Sequence, residues 1–560
     1  MFCASVFILW YLYASTLGKP IPYTQKPKNP LLAHVPGLGK FRGTQVLTTE
    51  NDSSNLMTPV DAWLGLEYAK QPVGDLRFAP PEWPHAVNGT VDADQFGPAC
   101  IQDPSRNGSP QSEACLNFNV WRTTGVPLAT KLPVLVFFHG GSFVSGDGKG
   151  FDGGNFVSKS VKPIMVVTMQ YRLGALGSLP SALFEEEGLL NLGLLDQRLF
   201  LEFLQKYISH FGGNPKAITL AGLSAGGHSV GIHLFHDYGS DKGKPLFAQA
   251  IMSSSSPTAR SFPEATADLY VRQFQEFMDY VDCPTTPNSD ALDCLRSVDI
   301  SLIQAKSASM YRDSEFNITW PWQPVSPGPL LEKRGSESGF DRTFFKIPIL
   351  VSSSTDEGKL FAPQNLSSTQ NFTSFMANMN PGFNSDDLAD LESLYPDPED
   401  PSSPYYDSPL SVEFNRVSAA YGDYAYICPV EETAALYAAL DLPVYKARFN
   451  TPNGAASYMG VSHASDNGYF QGLPNVQFPE ISDLYSAYWA SFVVSGSPNT
   501  YRVEGAPEWN RYKGVGGKEL KVGSEDGTGT GVELEGDDDG IRVPQCKWWR
   551  DPDRMERLKK

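Results

Sequence analysis

Two apolar runs, "LPVLVFFHGG" (132–141) and "IMVVTMQYR" (164–172), have the length of β-strands and show almost no polar alternation. A strand that is apolar throughout buries both of its faces, whereas one that alternates buries only one. Further along, "LLDQRLFLEFLQKYISHF" (194–211) carries apolar residues at helical spacing. "AITLAG" (217–222) then leads through Ser224 into "SAGGHSVGIHLF", which can open a helix. Apolar strands separated by helices predict an α/β fold with a large, mostly parallel sheet covered on both faces. From about 240 to 345 and from 358 to 460 the pattern becomes helical and loop-rich, with clusters such as "YPDPEDPSSPYYDSP" (395–409). These stretches read as insertions lying over the sheet. Residues 515–540, rich in Gly and Asp, predict a mobile surface excursion. The acidic run 537–539 lacks the spacing of a calcium loop and reads as solvated. No internal repeat is visible.

Composition narrows the function classes. The 560 residues are 41% hydrophobic and only 19% charged, as in a folded protein, and length alone predicts roughly three or four domains. A net charge of −19 disfavours nucleic acid and anionic membrane surfaces, leaving a neutral or cationic small partner as the natural one. The opening "MFCASVFILWYLYAST" resembles a secretory signal ending near residue 18, although its start carries no Lys or Arg. It is shorter than the ~20 residues a membrane span requires, and no later segment reaches that length. The expected mature chain, 19–560, is therefore soluble, secreted and without stable membrane insertion. Cys3 leaves with the leader, and the even number that remains, Cys100, Cys115, Cys283, Cys294, Cys428 and Cys546, predicts three disulfides in an exported protein. Spacing points to 100 with 115, 283 with 294, and 428 with 546. No Cys-x-x-Cys or Cys/His cluster occurs, so no metal site is expected. Sequons at Asn51, Asn88, Asn107, Asn317, Asn365 and Asn371 fit a glycosylated extracellular chain.

Ser224 lies at the centre of G-x-S-x-G in "AGLSAGG" (221–227). Alone the pattern is weak, but here it falls between a predicted strand and a predicted helix, where small flanking residues permit a sharp turn that lifts the hydroxyl above the sheet. A serine hydroxyl needs a histidine base, itself oriented by a carboxylate, and in such sheets the chain order is serine, acid, histidine. Of the eight histidines only His463, in "YMGVSHASDNGYF", follows Ser224 with room for an acid between. "FKIPILVSSSTDEGKLF" places Asp356 and Glu357 in a turn just after an apolar strand, and on position alone either can serve. Backbone donors for an oxyanion are expected from Ala225, next to the serine, and from the loop in "FFHGGSFVSG" (137–146). That loop lacks the Lys-Ser/Thr ending of a phosphate-binding loop.

These residues resemble the type-B carboxylesterase and cholinesterase-like family of the α/β-hydrolases. "FGGNPKAITLAGLSAGG" (211–227) matches the family's serine signature, and "PVGDLRFAPP" (72–81), "YRLGALG" (171–177), "NLGLLDQR" (191–198), "TDEG" (355–358) and "YWASFVVSGSPN" (488–499) resemble its other hallmarks. The likeness spans roughly residues 35–548 and so implies one catalytic domain, with the α/β-hydrolase fold, in place of several. The resemblance implies Ser224 as nucleophile, Glu357 as acid, His463 as base, and Gly141, Ser142 and Ala225 as oxyanion donors. It further implies Ser254 as a supporting serine beside the triad, the same three disulfides, and structural ion pairs Arg77–Glu113 and Arg172–Asp196.

The activity so implied is that of a secreted serine carboxylesterase acting on small esters through an acyl-enzyme, with no metal or organic cofactor. A lipase or sterol esterase of the same family is the alternative, and a non-catalytic adhesion relative the more distant one. Three departures stand out. Ser142 replaces the family's usual Gly; the Cys100–Cys115 loop is short and lacks tryptophan, unlike the lid of lipases or the choline site of cholinesterases; and Leu223 replaces the family's common Glu before the serine. The last predicts an ester with a neutral alcohol part. Trp320 and Trp322, within "NITWPWQPVSPG" (317–328), either line the acyl side or belong to the core.

Overall fold

The computed structural model describes residues 23–26, 31–50, 53–105, 108–314, 319–523, 532–536 and 542–560. The expected leader, the sequons Asn51, Asn107 and Asn317, and the acidic run 537–539 lie outside the described residues.

One twelve-stranded sheet organises the chain. Its strands, in chain order, are β1 (Thr24–Gln25), β2 (Thr44–Thr48), β3 (Asn55–Glu67), β4 (Asn117–Thr123), β5 (Leu132–Phe138) and β6 (Met165–Met169). They continue as β7 (Gly213–Leu223), β8 (Gln249–Ser253), β9 (Ile349–Ser354), β10 (Val444–Phe449), β11 (Lys518–Val522) and β12 (Val532–Gly536). Across the sheet the order is β1-β2-β3-β4-β6-β5-β7-β8-β9-β10-β11-β12. From β6 to β11 every pairing is parallel. The flanks, β1 to β4 and β12, are antiparallel, which makes the sheet mixed at its edges.

The alternation of side chains along β5 explains why the strand is apolar throughout. Val134, Val136 and Phe138 enter one core with Phe200, Phe203 and Leu204 of α2 (Leu192–Tyr207) and Val230 and Leu234 of α3 (Ala225–Phe235). Leu135 and Phe137 enter the opposite core with Phe156 of α1 (Gly153–Lys159) and Trp489 and Phe492 of α4 (Pro479–Ser495). Each fully buried side chain of this kind contributes about 1.5–3 kcal/mol. In α2 the positions 200, 203, 204 and 207 recur at helical spacing within a broad buried face.

Two helical insertions build a third core. Between β8 and β9 lie Asp268–Tyr280, Asn288–Ser297 and Ile300–Ser314; between β9 and β10 lie Thr369–Met379, Ser385–Leu394, Phe414–Gly422 and Cys428–Ala438. Phe277, Trp322, Tyr395, Tyr421 and Tyr426 pack together there, and the Cys428–Cys546 disulfide lies among them. Trp322 is core, with Nε1 donating to the Ser307 carbonyl. The remaining disulfides join Cys100 to Cys115 and Cys283 to Cys294.

The expectation of a loop over 515–540 needs correction, since Lys518–Val522 extends the sheet beyond β10 and pairs with Val532–Gly536. The polar letters of "KELKV" concealed a buried pair: Glu519 accepts from Lys446 Nζ at 2.5 Å and from Arg448 Nε at 3.3 Å, so a charged residue faces inward with its partners supplied by β10.

Two further ion pairs lock the layers. Arg77 donates to Glu113 through Nε and Nη2 at 2.6 and 2.7 Å, and its Nη1 holds the Val298 carbonyl, fastening the end of an insertion helix to the segments that flank β3 and β4. Arg172, just beyond β6, donates to Asp196 of α2 at 2.9 and 2.7 Å, both side chains being buried. Removing one charge strands the other, so Asp196→Asn should cost about 3–5 kcal/mol, seen as a fall in the denaturant midpoint. Breaking the exposed Lys513–Asp441 pair should leave the midpoint unmoved.

Candidate active site

Ser224 occupies the one-residue turn between β7 and α3, at φ 57° and ψ −128°. Its N–H donates to the Ser253 carbonyl on neighbouring β8 at 3.0 Å, and its carbonyl accepts from His228 at 2.8 Å. So tight a turn requires a small residue two positions on: a Cβ on Gly226 would lie 2.0 Å from the Phe138 carbonyl oxygen. Behind the serine, the first N–H groups of α3 have no partner inside the helix, and Ala225 supplies the first of them.

The loop after β5 crosses directly over this turn. A Cβ on Gly140 would stand 3.0 Å from Ser224 Cβ and 2.7 Å from the Leu223 carbonyl oxygen. Val144 and Ser145 N–H groups close the loop on the Gly141 carbonyl at 2.9 and 3.0 Å, and Gln323 Nε2 holds the Ser142 carbonyl at 3.0 Å. The backbone N–H groups of Gly141 and Ser142 make no hydrogen bond among the described residues. Ser142 sits at φ 57° and Phe143 at φ 64°, so the exchange of glycine for serine carries a backbone cost of about 1–3 kcal/mol.

Glu357 follows the end of β9 by three residues and is fully buried. Three donors immobilise its carboxylate. Ser354 N–H and Ser254 Oγ reach Oε1 at 2.6 and 2.7 Å, and His463 Nδ1 reaches Oε2 at 2.6 Å. Asp356, its rival by position, turns the other way: its Oδ2 accepts from Val461 N–H at 2.9 Å, and its own N–H donates to the Val461 carbonyl at 2.9 Å. Asp356 thereby ties the loop carrying His463 to the turn carrying Glu357. The His463 ring lies against Tyr426 and Phe361, with centroids 4.4 and 5.1 Å away. Its Nε2 is buried and makes no hydrogen bond among the described residues, to Ser224 or to any other group.

The other histidines near this edge are structural. His139 stacks on Tyr171 at 4.4 Å, and burial pushes the pKa values of His139, His228 and His233 down, leaving these rings neutral. Leu223 joins an apolar cluster and brings no charge to the serine.

Asp466 escaped the sequence reading. Its Oδ2 accepts from Ser253 Oγ at 2.5 Å while Oδ1 has no hydrogen-bond partner among the described residues. Burial raises its pKa to about 7, against the stabilising hydrogen bond from Ser253 and with added repulsion from Glu357. One signal was available: Asp466 lies three residues after His463 in "SHASD", within the same short loop. Tyr426, whose ring packs on His463, and Arg260, which donates to the Tyr426 hydroxyl, fell in no motif.

Comparison with known proteins places this geometry in context. Residues 31–536 match the model of a family described as the carboxylesterase family. The chain is similar to "Secreted lipase 4" of Gibberella zeae, 47% identical over 96% of each chain. It is also similar to "Lipase 2" of Geotrichum candidum, 26% identical over 83% of this chain and 88% of that one. Among solved structures it resembles Aspergillus niger EstA, with a TM-score of 0.81 and 30% identity over 95% of this chain and 99% of the other.

The state of Asp466 has a consequence for stability. Its folded pKa lies above the unfolded value of ~3.9, so between about pH 4 and 7 the folded protein binds the extra proton and stability falls as pH rises. Relative to Asp466→Asn, the wild type should lose up to ~4 kcal/mol across that window, measured as the difference in Tm at successive pH values. A difference that stays constant with pH would contradict the assignment.

Proposed function

The chain belongs to the carboxylesterase family and is a carboxylic ester hydrolase, and from that premise we propose that Ser224 attacks the ester carbonyl with His463 as general base and Glu357 as its orienting acid. The observation that carries this reading is the 2.6 Å hydrogen bond from His463 Nδ1 to Glu357 Oε2. With Nδ1 committed to a buried carboxylate, Nε2 is the ring nitrogen left to accept a proton. The free protein has no Ser224–His463 hydrogen bond, and such bonds commonly tighten only when substrate is bound.

In the proposed sequence, Nε2 takes the Ser224 proton as Oγ bonds to the carbonyl carbon. The oxyanion is held by N–H groups of Gly141, Ser142 and Ala225, where losing one donor costs roughly 3–4 kcal/mol. His463 then protonates the departing alcohol, leaving an acyl-enzyme. Water, deprotonated by the same imidazole, attacks it and frees the acid. Ser254 holds the far oxygen of Glu357 and keeps the carboxylate turned toward the ring. Residues 19–560 act as one catalytic domain in this scheme.

Export is part of the same reading. It is supported by the leader-like start, by three disulfides, and by a relative named a secreted lipase. Of the sequons, Asn88, Asn365 and Asn371 are exposed and open to glycosylation.

Relatives named lipases favour a second reading, hydrolysis of long-chain esters. The short Cys100–Cys115 loop, with a sequence separation of 15, offers little to serve as a lid, so the first reading expects no activation at an oil–water interface. Hydrolysis rates above and below a substrate's solubility limit separate the two.

Ser224→Ala should lower turnover of a p-nitrophenyl acylate by about 10⁴-fold or more. The wild type should be labelled by a fluorophosphonate at Ser224 alone, and unlabelled, inactive wild type would support a non-catalytic relative instead. Because Leu223 leaves the serine without a neighbouring carboxylate, acetylcholine and its neutral isostere 3,3-dimethylbutyl acetate should be cleaved with similar kcat/KM. A strong preference for the choline ester would refute the neutral-alcohol expectation.

A further inference from the structure

Arg260 lies on the segment that follows β8, six residues after Ser254, and its side chain is only 6% exposed. Nη1 donates to Gln323 Oε1 at 3.1 Å and Nη2 to the Tyr426 hydroxyl at 3.2 Å, while the buried Nε has no partner among the described residues. A guanidinium carries five N–H donors, so three remain unused among the described residues. Its polar contacts are an amide and a phenol, and no carboxylate pairs with it among the described residues. Of the other buried arginines, Arg77, Arg172 and Arg416 each meet one, whereas Arg122 donates to the Val126 and Pro127 carbonyls of its own loop, away from Ser224 and His463. His228, whose pKa is pushed down by burial and then by Arg260, is neutral and supplies no counter-charge.

Its position connects it to the reacting centre from two sides. Gln323 accepts from Arg260 and donates to the Ser142 carbonyl, and Tyr426 accepts from Arg260 while its ring packs on His463. The guanidinium carbon lies over the Trp320 ring, 3.9 Å from its centroid. Phe361, against Trp320, Tyr426 and His463, completes the wall. Arg260 is thus one side chain removed from both the imidazole and the loop over Ser224.

We propose that Arg260 recognises a carboxylate carried by the ester itself, so that acid esters are the favoured substrate class. This rests on the reading of Ser224, His463 and Glu357 given above. A planar guanidinium with free donors matches a carboxylate in two-pronged fashion, and an already desolvated, unpaired charge gains the most from such a partner. The stacked Trp320 and the two hydrogen bonds hold the plane of the guanidinium fixed, so little order is lost on binding.

The test measures kcat/KM for p-nitrophenyl half-esters of succinate, glutarate and adipate against neutral acyl chains of matching length. A second series compares acetates of carboxylated phenols with phenyl acetate, so the carboxylate is offered from the acyl and the alcohol side in turn. At least one acid ester should exceed its neutral match by about tenfold or more in the wild type. Arg260→Gln should bring that ratio close to one, and Arg260→Lys should fall between. The wild-type ratios stand by themselves should a variant fail to fold. No acid preference in either series, or one that Arg260→Gln leaves intact, overturns the proposal. Neutral esters cleaved in the same assays keep the hydrolase mechanism standing under either result, whereas failure on every ester would tell against that mechanism.

Discussion

The hydrogen bond between His463 and Glu357 joins residues 106 positions apart and can exist only if the rest of the molecule is in place. Glu357 is aimed by donors at the ends of two strands: Ser254, just beyond β8, and Ser354, the last residue of β9. His463 is carried by a loop with no regular structure of its own at that point, and the Asp356–Val461 contacts fix it to the same turn. Parallel pairing aligns Leu223, Ser253 and Ser352 across β7, β8 and β9, so the three segments that continue beyond them emerge along one edge. Sheet register is therefore what sets the geometry of the site, and the buried ion pairs and the cores on both faces act on the chemistry by holding that register.

Along this edge the backbone is strained where function is proposed. Ser142, Phe143, Ser224, Ser254 and Ala464 all have φ between 47° and 65°. Strain of this kind survives only where surrounding contacts over-determine the conformation. Here the contacts are the Gln323 amide on Ser142, the strand-to-strand hydrogen bonds of Ser224 and Ser254, and the close approaches of glycines 140 and 226. Charge is distributed with similar economy. The neighbouring histidines are kept neutral by burial, Asp466 holds a proton up to about pH 7, Leu223 is apolar, and Arg260 meets no carboxylate among the described residues.

The apolar runs at 132–138 and 165–169 specified buried parallel strands because no other element buries both faces so briefly, and the stripe at 200, 203, 204 and 207 specified the helix that covers them. Chain order reduced eight histidines to His463, and the turn after an apolar strand reduced the acids to two. Periodicity failed at 518–522, where the inward-facing Glu519 looks like a surface residue until Lys446 and Arg448 are seen beside it. The leader and half of the sequons lie outside the described residues.

By itself, then, the sequence determined the class of fold, the position of the turn at Ser224 and the reaction type its motifs imply, because these depend on local patterns: apolar periodicity, small residues around a serine, and the order of elements. The resemblance already implied Glu357 over Asp356, whereas the three donors on the Glu357 carboxylate, the proton held by Asp466 and the lack of a carboxylate beside Arg260 among the described residues were decided by tertiary structure. Each depends on which groups from distant segments meet in a place without water, and the cost of burying a charge or a polar atom is set by that company rather than by the residue's own neighbours in the chain.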